Sequence, residues 1–153
     1  MGLIEAKKHL KKYNKDNDII ILEEKTATVE QAAKALNIKE DMIAKSLTFN
    51  VNGKIIMILT KGTAKIDNSK FKSEFKTKAK MLNKEEVDEF IKHPIGGVCP
   101  FGINENIEVF LDISLKEFEY VYPACGTDHS AIKLTIAELE TISNMKKYID
   151  VCK

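Results

Sequence analysis

The side chains capable of covalent or metal chemistry are few. Three cysteines, Cys99, Cys125 and Cys152, and three histidines, His9, His93 and His129, are scattered over 153 residues. One stretch concentrates them: KHPIGGVCPFG, residues 92–102, carries His93 and Cys99 among three glycines and two prolines. A catalytic thiol needs its pKa lowered by a base or a helix N-terminus, and His93 precedes Cys99 while His129 follows Cys125. A Cys–His nucleophile is therefore open. So is a zinc site from His93, Cys99, Cys125 and His129, although no CxxC pair or HxxxH helix is present. A phosphate loop is not, because IGGVCPFG lacks the lysine and hydroxyl of a P-loop, and a strand is expected where a dinucleotide fingerprint needs a helix. A backbone reading also fits. Gly96 and Gly97 permit close approach of a ligand, and Pro100 removes a donor and fixes the chain, leaving amides able to stabilise an oxyanion. A plain tight turn between helix and strand stands beside it.

Positioning these residues falls to the surrounding elements. Leu3, Ala6, Leu10 and Tyr13 have helical spacing, with Asn14 as a stop. The β-branched run at 18–24 reads as a buried strand. Thr28 and Gln31 have capping-box spacing ahead of VEQAAKAL, which Asn37 can close. AKSLTFNV and KIIMILT flank Asn52-Gly53, the dipeptide favoured in a type I′ turn, and so form a hairpin. Asp67 or Asn68 caps a lysine-rich helix reaching Phe75, and Asn83 with Glu86 caps KEEVDEFI before the His93-Pro94 break. Then come a strand at IEVFLD, a short helix or turn at 114–118, strands around 120–122 and 131–134, and a second capping box, Thr135 to Glu138, opening the last helix. The resulting expectation is an α/β (α+β) fold: one domain over residues 1–153, with a mixed, mostly antiparallel sheet flanked by helices.

Bulk properties narrow the class. Composition, at 44% apolar and 31% charged, is that of a globular domain. No apolar run is long enough to cross a bilayer, and three unpaired cysteines fit a reducing compartment, so a soluble cytoplasmic protein without membrane partners is expected. Residues 54–84 hold nine lysines against Asp67 and Glu74, and the chain has no arginine. A polyanion contacted there would meet point charges, which track a backbone better than they read bases.

Several motifs, TATVEQAAKALNI, IAKSLTF, IGGVCPFG, VFLDISL and YPACGTDHSAIKLTIAEL, occur in an order that resembles the YbaK/ProX family of aminoacyl-tRNA deacylases. That family includes the editing domain inserted into bacterial prolyl-tRNA synthetases, and this chain looks like its free-standing members. The resemblance spans nearly the whole sequence and implies a barrel-like sheet. It implies catalytic roles for Lys45, the family's essential lysine, and for Gly96, Gly97 and Val98 of a GxxxP loop. It implies substrate-binding roles for Thr28, Phe49, Cys99, Pro100, Phe101 and Asp112, the last as a loop brace, and for a second loop of Ala124, Cys125 and Gly126. Cys99 stands where relatives often carry Ser or Thr, and Cys125 where many carry Ala or Gly. No cofactor or metal is implied. The implied substrate is mischarged tRNA held by its acceptor end, cysteinyl- or alanyl-tRNA(Pro), with prolyl-tRNA synthetase as a partner. Its ester would be cut by substrate-assisted water attack. Two other readings stay open, a Cys/His metal- or thiol-dependent hydrolase and a non-catalytic tRNA- or synthetase-binding module.

Overall fold

Strand β3, Lys54–Lys61, is apolar on both sides, and that dictates the architecture. Met57 and Leu59 enter one core while Ile56 and Ile58 enter another on the opposite face. A sheet buried twice needs covering layers on each side. The computed structural model, which describes residues 2–153, has this arrangement. A six-stranded sheet in the order β7-β5-β2-β3-β4-β8 curls into a half-barrel, and a two-stranded β1-β6 ribbon stands apart from it.

The hairpin is the expected one. β2, Ile43–Val51, pairs antiparallel with β3 across Asn52 and Gly53, both at positive φ as a type I′ turn requires. Parallel pairings flank it: β2 with β5, Tyr120–Pro123; β3 with β4, Glu108–Asp112; and β4 with β8, Lys147–Ile149. The edge strand β7, Leu134–Thr135, returns antiparallel on β5.

Helices close both faces. On the larger core lie α1, Leu3–Lys11, and α5, Ile136–Ile142, the latter opened by the reciprocal Thr135–Glu138 capping box. The capping box at Asn83 and Glu86 likewise forms and starts α4, Lys84–Glu86, which runs on as a π-helical turn over Val87–Ile91. That helix ends on Lys92 in the left-handed region, just before the His93-Pro94 break. On the smaller core, α3, Asn68–Phe75, is capped by Asp67 and pinned through Phe71, whose ring packs 4.9 Å from Phe49 and 4.7 Å from Phe75. Burying such a ring contributes roughly 2–3 kcal/mol. A third, smaller cluster seats α2, Val29–Leu36, against Ile43 and Tyr122.

Three local expectations are corrected. The run at 18–24 is not a buried strand: β1 is only Ile20–Ile21, and Ile21 is exposed, because a two-residue ribbon with β6, Ser130–Ala131, covers one side alone. The strand expected at 131–134 is divided between β6 and β7. Thr28 caps α2 by accepting from the Gln31 amide, without the reciprocal bond from the Gln31 side chain. β8 was not anticipated, since residues 147–149 are short and begin with a lysine.

Candidate functional site

Two loops cross beside a cavity of about 250 Å³. In the first, the Gly97 amide donates to Pro94 O at 2.8 Å, folding residues 94–97 into a tight turn. In the second, the Gly126 amide donates to Gly97 O at 3.0 Å and locks the loops together. Gly97 has no space for a β-carbon, which would meet the Thr127 nitrogen and lie 2.6 Å from the Gly126 carbonyl carbon. Gly96, at φ +91, passes so near Ala27 that a β-carbon would sit 2.8 Å from its α-carbon. These glycines let three segments pack backbone to backbone.

The cavity is walled by Val29 and Ala32 of α2, by Ala44, Ser46 and Thr48 of β2, and by Leu82, Val87, Val98 and Ala124. Thr28, Gly96, Tyr122 and Ser130 contribute to its rim, and no carboxylate, thiol or imidazole is among the lining residues. The Gly97 amide is engaged in its turn, so it is not the free donor the sequence suggested. The Val98 amide makes no hydrogen bond among the described residues. Two hydroxyls in the wall, Thr26 Oγ1 and Ser46 Oγ, are buried without a hydrogen-bond partner. Neither was singled out from sequence, where a threonine in a loop and a serine in a strand carry no distinguishing signal.

Lys45 borders the cavity, yet its ammonium points elsewhere. It shares a face of β2 with Leu47 and Phe49, which pack into the smaller core, and its Nζ donates to Ala64 O. Half-burial lowers its pKa from the usual lysine value. Phe49 lines no part of the cavity, its ring being tilted against Phe71 in the smaller core behind the sheet. Phe101, fully buried, packs edge-on to His9 at 5.7 Å, and Pro100 lines a separate depression beside α1. Asp112, 1% exposed, braces two backbone turns, accepting from Ser114 N and Val151 N at 2.9 Å each.

The cysteines are also displaced from their expected place. Cys99 and Cys125 are wholly buried behind the loops and line no part of the cavity. Cys99 Sγ does lie 3.5 Å from His93 Nε2, the spacing of a catalytic pair. That nitrogen, however, donates to Phe101 O at 2.7 Å, so the atom nearest the thiol already carries a proton and cannot take another. Burial pushes the Cys99 thiol up to about 12 and the Cys125 thiol well above its usual value, the reverse of activation. His129 pairs with Asp128 at the surface, and no group of three or more potential ligands among the described residues is placed to hold a metal.

Of the nine lysines at 54–84, Lys54, Lys61 and Lys70 are ion-paired with Glu108, Glu117 and Asp150. Lys72, Lys78, Lys80 and Lys84 are exposed and carry no ion pair among the described residues. Among the described residues no helix is long and apolar enough to cross a membrane.

Residues 23–142 match the model of the aminoacyl-tRNA editing domain. The chain belongs to that family. Membership supports a deacylase role, removal of an amino acid from tRNA. Along its whole length this editing domain is 48% identical to protein YwhH of Bacillus subtilis (strain 168), covering 98% of that relative. It is 28% identical over 106 residues to a proline–tRNA ligase of Bacillus cereus (strain G9842), matching 65% of the chain but only 19% of the ligase. A solved structure described as a candidate trans-editing enzyme for prolyl tRNA synthetase superposes with a TM-score of 0.88 at 25% identity, covering 99% of this chain and 96% of the other. The hypothetical protein APE2540 shares the fold, with a TM-score of 0.83 at 23% identity over 95% of this chain and 99% of that one.

Proposed function

We propose that this editing domain acts in trans, in the cytoplasm, on a mischarged tRNA(Pro) bearing a small amino acid, with alanyl and cysteinyl esters the leading substrates. The supporting observation is the cavity itself. It is small, closed by a glycine loop that offers the Val98 amide, and lined by no side chain that would serve as nucleophile or general base.

Hydrolysis then proceeds with the tools available. The amino acid fills the cavity, and its ester carbonyl lies against residues 96–98. A ribose hydroxyl next to the ester takes a proton from water as the water adds to the carbonyl, passing its own proton on to the ester's ribose oxygen. The oxyanion is held by the Val98 amide, and collapse releases the ribose oxygen with its proton. Lys45 supplies positive charge at the cavity's edge, exchanging Ala64 O for the substrate's phosphate or ester oxygen. Neighbouring amino acids that differ by a methylene are poorly separated by binding alone, which is why such editing is needed. The resemblance to the proline–tRNA ligase insert supports prolyl-tRNA synthetase as the partner whose errors are corrected.

Deacylation of a panel of mischarged tRNAs tests this reading. Wild type should cleave at least one small-amino-acid ester, Lys45→Ala should lose about 100-fold, and Cys99→Ser and added chelator should each change the rate less than threefold. Full activity in Lys45→Ala would sink the proposal, chelator sensitivity would point to a metal hydrolase, and binding without turnover on every ester would point to a non-catalytic module.

A further inference from the structure

Few large apolar side chains are exposed among the described residues, and two of them line the cavity: Met81 is 56% exposed and Ile95 53%. In sequence they bracket the α4 segment, whose Val87 also lines the cavity. Met81 is held rigidly, because residues 80–82 run along β2 as an added antiparallel segment. Asn50 N donates to Lys80 O at 2.9 Å, Leu82 N to Thr48 O at 3.1 Å, and Phe49 bridges Met81. Cations lead away from it. Lys80 and Lys84 flank Met81, and Lys78 and Lys72 continue into a shallow groove with Asn68 and Ser69 at the start of α3. Among the described residues none of these four lysines has an ion pair, whereas the outer face of α4 carries Glu85, Asp88 and Glu89.

An apolar, preorganised platform continuing into unpaired cations, with acids on its other side, can take base faces by van der Waals contact with Met81 and Ile95 while the lysines track the phosphates. We propose that Met81 and Ile95 receive the terminal nucleobases of the single-stranded 3′ end of tRNA, and that Lys80, Lys78 and Lys72 carry its phosphates toward α3. This rests on the deacylase reading, which puts the amino acid in the cavity and so brings the ribose and its base out at the mouth. The acids of α4 fix the direction, repelling phosphates from the opposite path.

Binding of uncharged tRNA, followed by fluorescence anisotropy, separates this inference from the catalytic one. The probes are the full tRNA and the same tRNA trimmed of its single-stranded 3′ end. Met81→Ser combined with Ile95→Ser should weaken binding of full tRNA about tenfold and bring it level with trimmed tRNA. Lys78→Gln with Lys80→Gln should flatten the salt dependence of the same binding. Both pairs lie at exposed positions, and thermal melting checks that the variants fold. Equal weakening on full and trimmed tRNA, or none on either, would overturn the platform. A wild type that prefers full tRNA through Met81 and Ile95 yet cleaves no ester would keep the platform and overturn the deacylase reading.

Discussion

Strand β2 divides the molecule into two polar environments that differ in how completely they are satisfied. On its cavity side, Ser46 Oγ and the nearby Thr26 Oγ1 are buried without partners, and the Val98 amide is unengaged. Behind it, Asp112 accepts two backbone amides. An unmatched buried polar group costs roughly 1–3 kcal/mol, so folding alone would not retain two such hydroxyls beside one small cavity. The satisfied side holds the fold together; the unsatisfied side is where a substrate supplies what is missing. Variants on the two sides should therefore fail differently.

The sharpest break comes at the loop crossing on the cavity side. Gly97→Ala would force a β-carbon onto the Thr127 nitrogen and the Gly126 carbonyl carbon, both backbone atoms that cannot step aside. The loops must part, and the Val98 amide moves with them. Deacylation should fall at least 100-fold, the loss expected when a reacting group is displaced by about 1 Å. Activity within threefold of wild type would show that the crossing does not position the ester.

Behind the sheet the loss should be one of stability instead. Asp112→Ala leaves Ser114 N and Val151 N without their acceptor at a site 1% exposed, at a cost of about 3 kcal/mol. Denaturant unfolding should show that loss, while the rate per folded molecule stays within threefold. Ser46→Ala inverts the pattern: kcat/KM should drop about tenfold with the melting temperature unchanged or slightly higher, because an unpartnered hydroxyl contributes nothing to folding. If Ser46→Ala destabilises and leaves turnover intact, the contrast between the two sides disappears.

That contrast explains what could be read from the chain beforehand. Caps and turns were legible because their chemistry is local: Asn52-Gly53, Asp67, Asn83 with Glu86 and Thr135 with Glu138 each satisfy amides a few residues away. The glycines of residues 96–97 stood out for the same reason. Facing was harder. Phe49 and Lys45 share a strand with Ser46 and Thr48, and a shift of one residue moves a side chain from the cavity to the opposite core. Cys99 drew attention by type, although its burial depends on packing by α1 and on the second loop, both distant in sequence. Ser46 and Thr26 were invisible, since a hydroxyl becomes informative only when its missing partner is known.

The smallest expected effect lies under the loops, where His93 joins the cavity's support to the core. Its Nε2 donates to Phe101 O, and its Nδ1 is buried without a partner. Burial penalises the imidazolium and lowers the pKa below the ordinary 6.5. His9 is shifted the same way, chiefly by burial, and its Nδ1 accepts from Gly102 N at 3.0 Å, a bond that protonation there would break. Between the folded pKa and 6.5 the unfolded chain binds protons that the folded chain refuses, so stability is full above that window and declines as pH falls through it. Urea midpoints taken from about pH 7.5 down to about pH 5 should fall for wild type and fall less steeply for His93→Gln, which cannot take up the proton. Parallel curves for the two proteins would mean that His93 takes up its proton equally in the folded and unfolded chain, so that its burial does not oppose the charge.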